Sequence, residues 1–336
     1  MSAPVLVLYH ADCLDGFGAA YAAWRHFGTG AEYRPLHYGQ PWLAEDLAGR
    51  DVYILDASYP RLTLLDMAAH AGSLTLLDHH ASARDEWSDV LLHDADKSLW
   101  IHRDASLSLT VAFDMERSGA HLAWDWLHAG EPLPRALAHI EDQDLWRFRR
   151  PGTRAFCQAL RLRSFELATW DALIRASEAA PGLPDSSTYQ GLLGEGEAVG
   201  RFFEVEVGRL AAGAAATVVL PGEPIDGLQA VDHGLPIVRS GGLNCRAVTG
   251  LAINANPLFA SELGGQLAKK SGSFGMVWHV DATGQVKVSL RAAGQINVAH
   301  LAAHYGGGGH PNAAGFRMAL SRFVREILPA EWGLPA

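Results

Sequence analysis

The chain is poor in cysteine: Cys13, Cys157 and Cys245 are all there are in 336 residues. An odd number at wide spacing argues against a disulfide framework, and the absence of any C-x-x-C pair argues against a cysteine zinc site. Such sparse usage fits a reducing cytoplasm. No run of about 18 apolar residues occurs, so no membrane span is expected, and Met1-Ser2-Ala3-Pro4 lacks the basic and apolar stretches of a secretory signal. Positive charge is also short, with Lys+Arg 27 against Asp+Glu 37 and a formal net charge of −10. A protein that grips long duplex nucleic acid through its phosphates normally carries a basic face. Long duplexes and membranes are therefore not expected partners, whereas a small phosphorylated substrate is compatible and a homodimer stays open.

Hydrophobic residues make up 49% of the chain, and its length suits two domains. The first 150 residues alternate strands (5–9, 52–56, 74–78) with helices (16–27, 62–70). That order predicts crossover connections and a parallel sheet with helices on both faces. Residues 106–128 read as one or two helices, and another runs from Pro134 into Trp146. Pro, Gly and Ser cluster at 179–187, which suits a boundary, and a long helix follows at 189–212. Short apolar runs at 216–220, 227–231, 235–239, 247–253, 275–280 and 285–291 suggest a smaller mixed α/β domain. The fold class expected is thus α/β: a catalytic metal-binding domain over 1–182, a linker and connecting helix over 183–213, and a substrate-binding domain over 214–336. The cleft between them is the expected ligand site.

Three apolar runs end in acid-bearing segments. His10-Ala11-Asp12-Cys13-Leu14-Asp15-Gly16 follows Val5–Leu8, Asp56 follows Val52–Leu55, and Asp78-His79-His80 follows Leu74–Leu77. Ligands of an open parallel sheet gather beyond the carboxyl ends of its strands. One Asp after a strand is usually a cap or turn residue, but three such segments in order point to one metal site. Carboxylates and imidazoles suit a borderline-hard divalent ion, most often Mn²⁺, with Mg²⁺, Co²⁺ or Fe²⁺ alternatives. His10, Asp12, Asp15, Asp56, Asp78, His79, His80, Asp142 and Asp144 are the donors on offer.

Asp15-Gly16, Asp56, Asp78-His79-His80 and Asp142 resemble the four motifs of the DHH phosphoesterase superfamily. The stretch Tyr305-Gly306-Gly307-Gly308-Gly309-His310-Pro311-Asn312-Ala313-Ala314-Gly315-Phe316 resembles the glycine-rich signature of the DHH-associated C-terminal domain. The resemblance implies two divalent ions held by His10, Asp12, Asp15, Asp56, His79 and Asp142, with Asp56 shared. It implies that His80 faces the substrate phosphate, supported by Asp78, and that Gly307, Gly308, Gly309, His310 and Arg291 contact the substrate. The usual first motif, His-x-x-x-Asp-x-Asp-Gly, is altered here, because Cys13 stands two residues before Asp15. Either Asp12 takes that ligand's place or Cys13 ligates as thiolate; hard ions prefer oxygen, which favours Asp12. The function implied is metal-dependent hydrolysis of phosphodiester or phosphomonoester bonds in small nucleotides or short oligonucleotides. 3′-Phosphoadenosine 5′-phosphate and cyclic dinucleotides are substrates of the same chemistry. The alternative is a catalytically weak nucleotide- or RNA-binding sensor.

Overall fold

Val5–His10 (β1), Ala31–Leu36 (β2), Asp51–Leu55 (β3), Ser73–Asp78 (β4) and Leu109–Phe113 (β7) are short runs rich in Val, Ile and Leu. Strands buried on both faces read this way. In β1, Leu6 and Leu8 enter one apolar cluster and Val7 the opposite one. These strands pair in parallel, and Leu99–Asp104 (β6) and Leu92–Asp94 (β5) add an antiparallel edge, giving the order β2-β1-β3-β4-β7-β6-β5. The computed structural model describes residues 4–37, 40–94, 98–178, 186–213, 215–225 and 237–328. It separates into two compact units, Met1–Arg201 and Phe202–Ala336, and the helix Ser187–Ala212 runs across that division.

The chain leaves β1 for β2 on one side and returns to β3 on the other, so the sheet has its switch point between β1 and β3. Register does the rest. Tyr9 pairs with Leu55, and Leu55 with Leu77, so His10, Asp56 and Asp78 share one level just past the strands. That is where an open parallel sheet collects ligands.

Residues 106–128 do not form one or two helices throughout. Leu109-Thr110-Val111-Ala112-Phe113 is β7, and a helix begins only at Gly119 and runs to Leu127. Thr110, Val111 and Phe113 are strand formers whose side chains fill the pleated surface, and Ser118 caps the helix by accepting from the His121 N–H at 3.3 Å. Phe113 and Trp124 are core residues. The expected boundary at 179–185 and the apolar runs at 227–231 and 235–236 lie outside the described residues.

The second unit is a mixed sheet. Ala216–Pro224 (β8), Ile237–Ser240 (β9), Leu243–Asn254 (β10), Phe274–Val280 (β11), Gln285–Ala292 (β12), Gly308–His310 (β13) and Ala313–Ala319 (β14) pair in the order β13-β14-β12-β11-β10-β8, with β9 also on β10. Only β10 and β11 are parallel, joined by the helix Ala260–Ser271. Leu263 and Leu267 of that helix pack on Ile253 and Val277, while Val298, Leu301 and Phe323 cover the opposite face. Phe274 and Trp278 belong to this core. Among the described residues no helix is long and apolar enough to cross a membrane.

Candidate metal centre

Three short elements deliver the acids of the first unit. Asp15 lies in the first turn of the helix Leu14–Phe27, which follows β1 after three intervening residues; Asp56 follows β3; Asp78 ends β4 and His79 follows it. Asp144 is the last residue of the helix Arg135–Asp144. Nε2 of His79 lies 3.1 Å from an oxygen of Asp56 and 3.6 Å from oxygens of both Asp15 and Asp144. Nδ1 of His10 lies 3.5 Å from the other oxygen of Asp56. Asp56 therefore stands between two donor groups, Asp15–His79–Asp144 and His10–Cys13–Asp56, each with its ligand atoms within 4.8 Å of one another.

Close backbone approach makes this convergence possible. A Cβ on Gly16 would sit 2.2 Å from the His10 carbonyl oxygen, so only glycine lets the first helix start this near β1. A Cβ on Gly119 would sit 2.5 Å from Cβ of Asp56. The helix Gly119–Leu127 points its first turn at Asp15: the N–H groups of Gly119 and Ala120 donate to the two oxygens of Asp15 at 2.6 and 3.0 Å. Unsatisfied N–H groups and the positive end of the helix dipole hold a carboxylate well. Asp56 itself has φ +54°, a left-handed conformation that Asp tolerates better than most residues.

The electrostatics of this cluster are those of too much negative charge in too little water. Burial, and then the nearness of Asp56 and Asp144, pushes the Asp15 carboxyl well above its ordinary range. Burial likewise raises Asp144, with Asp56 adding to it, and burial plus the three acids raises the Cys13 thiol. Burial would raise Asp56 too, but hydrogen bonds from His10 and His79 outweigh it and hold Asp56 below its usual range. Burial opposes charge on His79; its carboxylate neighbours, Asp56 foremost, prevail and push its pKa well up. The carboxylates around His79 thus favour its charged form. A divalent ion fits the same donor set and supplies more charge. Asp78 agrees with that fit: Oδ1 accepts from the His79 N–H at 2.8 Å and from His80 Nδ1 at 2.7 Å, while Oδ2 is buried with no hydrogen-bond partner. Asp78, and Asp56 after it, outweighs the effect of burial on His80 and pushes its pKa up to about 9.

Two of the expected ligands are not brought to the cluster. Asp12 adopts φ +57°, and its side chain is 86% exposed, 3.6 Å from His37. Cys13, the following residue, places its sulfur with His10 and Asp56 instead. Asp142 is buried, and its carboxylate is already occupied. Oδ1 accepts from the Arg149 N–H at 2.8 Å, and Oδ2 from the Arg150 N–H at 2.9 Å and the Thr153 hydroxyl at 2.6 Å. The Asp142 carbonyl also takes the N–H groups of Arg147 and Phe148. Because Thr153 donates its proton to Asp142, it accepts from Nδ1–H of His139, whose Nε2 then accepts from the Tyr189 hydroxyl, both at 2.9 Å. Burial, with Arg150 and Arg135 nearby, lowers the His139 pKa to about 4, so this buried imidazole is neutral. Asp142 is a structural hub for the turn after its helix, and it is Asp144 that lies with Asp15 and His79.

A prediction separates the two acids. Asp142→Ala removes three charge-assisted or buried hydrogen bonds and is expected to cost about 3 kcal/mol of stability while leaving the divalent-ion stoichiometry unchanged. Asp144→Ala is expected to leave the melting temperature of the ion-free protein unchanged or higher and to weaken ion binding by at least about tenfold. Calorimetric titration with Mn²⁺ and thermal melting of both variants check the pair.

In the second unit, Gly308–His310 form β13, preceded by Gly307, and the strand pairs with β14 through Gly308 and Gly315. The Arg291 guanidinium is half-buried beneath the helix Ala260–Ser271 and donates to the Leu290 carbonyl at 2.9 Å and the Ser261 hydroxyl at 3.3 Å. Burial lowers its pKa.

Residues 247–330 match the family described as the DHHA1 domain. That stretch is a DHHA1 domain, and the Asp78-His79-His80 segment upstream resembles the motif of the DHH superfamily. The chain is 25% identical over 344 residues to uncharacterized protein R106 of Acanthamoeba polyphaga mimivirus, covering 97% of the chain and 69% of that protein. Among solved structures, it aligns over 96% of its length with the pGpG-specific phosphodiesterase PggH of Vibrio cholerae (95% of that chain, 13% identity, TM-score 0.42). It aligns over 96% of its length with half of RecJ from Thermus thermophilus, solved with Mn²⁺ (15% identity, TM-score 0.44). An uncharacterized protein from Helicobacter pylori G27 aligns over 94% of this chain and 93% of its own (15% identity, TM-score 0.41).

Proposed function

We propose that this protein is a metal-dependent phosphoester hydrolase that acts on small nucleotides or short oligonucleotides. The observation that carries the reading is Asp56, whose two oxygens face His79 of one donor group and His10 of the other at the switch point of a parallel sheet. In this reading Asp15, His79, Asp144 and Asp56 hold one divalent ion, and His10, Cys13 and Asp56 hold the other. Such a pair, when bound, lowers the pKa of a water and offsets charge on phosphoryl oxygens.

The chain's own residues do the remainder. Asp78 accepts Nδ1–H of His80 at Oδ1 and favours its charged form, so His80 is placed to donate to a substrate phosphate. Gly119 and Ala120 hold Asp15 in place through their N–H groups. Gly307, Gly308, Gly309 and His310 supply backbone and imidazole donors to the substrate, and Arg291 a guanidinium suited to phosphate. Cys13 distinguishes this site from an all-oxygen one, because thiolate favours softer ions than Mg²⁺.

The test is hydrolysis of two- to five-nucleotide RNAs, 3′-phosphoadenosine 5′-phosphate, cyclic dinucleotides and pyrophosphate, with Mn²⁺ or Mg²⁺ and with His79→Ala as the blank. Nucleotide cleavage that needs the ion and vanishes in the blank supports the reading; nucleotide binding without turnover moves it to the sensor. Chelation supplies a second readout. An ion at a hundred times its Kd adds about 2.7 kcal/mol to the folded state, so its removal is expected to lower the melting temperature by roughly 5–10 °C.

A further inference from the structure

The turn that follows Asp144 carries features that metal binding does not account for. Trp146 and Phe148 adopt φ +55° and +48°, a left-handed region that bulky side chains rarely enter. Their backbone is pinned there: Trp146 N–H donates to the Gln143 carbonyl, and Arg147 and Phe148 N–H both donate to the Asp142 carbonyl. The fold thus maintains an unfavourable conformation at two neighbouring aromatics, and such strain concentrates at functional sites.

What the strain produces is a ledge. The rings of Trp146 and Phe148 meet edge to face, with centroids 4.9 Å apart at 76°. The Arg154 guanidinium lies 3.5 Å over Phe148 and 5.6 Å from the Trp146 centroid. Phe148 is therefore covered on one face, whereas Trp146 remains 56% exposed. The ten residues 145–154 hold four arginines and no acid, in a chain of net charge −10. Arg149 and Arg150 are exposed, and Arg150 lends its charge to the neighbouring Asp142. Trp146 follows Asp144 by two residues, so its backbone lies within about 7 Å of that metal-centre acid.

We propose that Trp146, supported by Phe148 and Arg154, is a base-stacking subsite, and that its occupant is an unpaired nucleobase of a nucleotide or short oligonucleotide. One exposed indole is too small to dock a protein. An aromatic face interleaved with guanidinium groups matches a ligand that has both a π surface and phosphates. The inference rests on the phosphoesterase reading, whose acids lie next to it, and assigns the place where a base of that substrate is held.

The test compares a ribodinucleotide with its abasic counterpart, in which both bases are replaced by hydrogen, in the Mn²⁺-loaded enzyme. Trp146→Ala is expected to raise KM for the dinucleotide about tenfold, with kcat within about twofold and KM for the abasic compound unchanged. Trp146→Phe is expected to recover most of the loss, which a merely structural role for the side chain does not predict. An equal effect on both compounds, or none on either, overturns the subsite while leaving the hydrolase standing. If the wild type turns over neither compound, the hydrolase reading fails on its own account. Calorimetric affinities then decide the subsite: a preference for the dinucleotide that Trp146→Ala abolishes sustains it, and equal affinities for the two compounds overturn it.

Discussion

Asp56→Asn is expected to abolish hydrolysis, with kcat/KM falling about a thousandfold or more. Asp56 is 1% exposed and touches both donor groups: His79 Nε2 at 3.1 Å through one oxygen and His10 Nδ1 at 3.5 Å through the other. An amide is nearly isosteric with the acid but carries no charge, so in the proposed reading both ion positions would lose a shared anionic ligand at once. Stabilisation of transition-state charge by bound ions is worth several kcal/mol, and each 1.4 kcal/mol is about tenfold in rate. Stability falls as well. His10 and His79 hold the Asp56 carboxyl below its usual range, a stabilisation that the amide loses at neutral pH, so the ion-free variant should melt lower than the wild type, and added Mn²⁺ should shift its melting little. Rates and melting curves measured with and without ion check both parts. A variant that keeps even a tenth of wild-type activity would remove Asp56 from the centre of the site.

Gly119→Ala is expected to produce a comparable loss from a residue that has no chemistry of its own. The added methyl would lie 2.5 Å from Asp56 Cβ and 2.8 Å from its Oδ1. Such approaches force either the acid or the helix start to move, and overpacking in a buried site costs about 1–3 kcal/mol. The same helix start donates to Asp15 from Gly119 and Ala120, so both shifts disturb a carboxylate. A misplacement of about 1 Å can cost roughly a hundredfold in rate. The decisive comparison is Mn²⁺ affinity in Gly119→Ala against an exposed helix glycine of the same unit, Gly191→Ala, where nothing lies within 4 Å of the new methyl. Wild-type affinity in Gly119→Ala would refute the packing described for Asp56.

Much of this site could be read from periodicity alone. Leu74–Leu77 before Asp78, and Val52–Leu55 before Asp56, are apolar runs of strand length, and a parallel sheet brings such runs to a common edge. His10, Asp56, Asp78 and His79 are there because strand register places them there. Residues 106–128 misled because Leu109–Phe113 is too short and too uniformly apolar for its period to distinguish a strand from a buried helix. The support from Gly119 was illegible for another reason: it bonds a side chain 104 positions away, and no local pattern encodes that contact.

The sequence by itself determined the alternating α/β layout of the first unit, the strand-end acids and the glycine-rich segment of the second. These follow from side-chain type and spacing along the chain. Only the tertiary structure decided which of two neighbouring donors faces the centre. Asp142 and Asp144 are about 200° apart around a helix of 3.6 residues per turn, so one turns inward to Thr153 and the other toward His79. Asp12 and Cys13 sit in a turn where a left-handed φ sends the carboxylate to solvent and leaves the thiol beside His10. Composition places an acid near a site; the direction of its Cα–Cβ bond, set by helix phase and turn dihedral, decides whether it belongs to it.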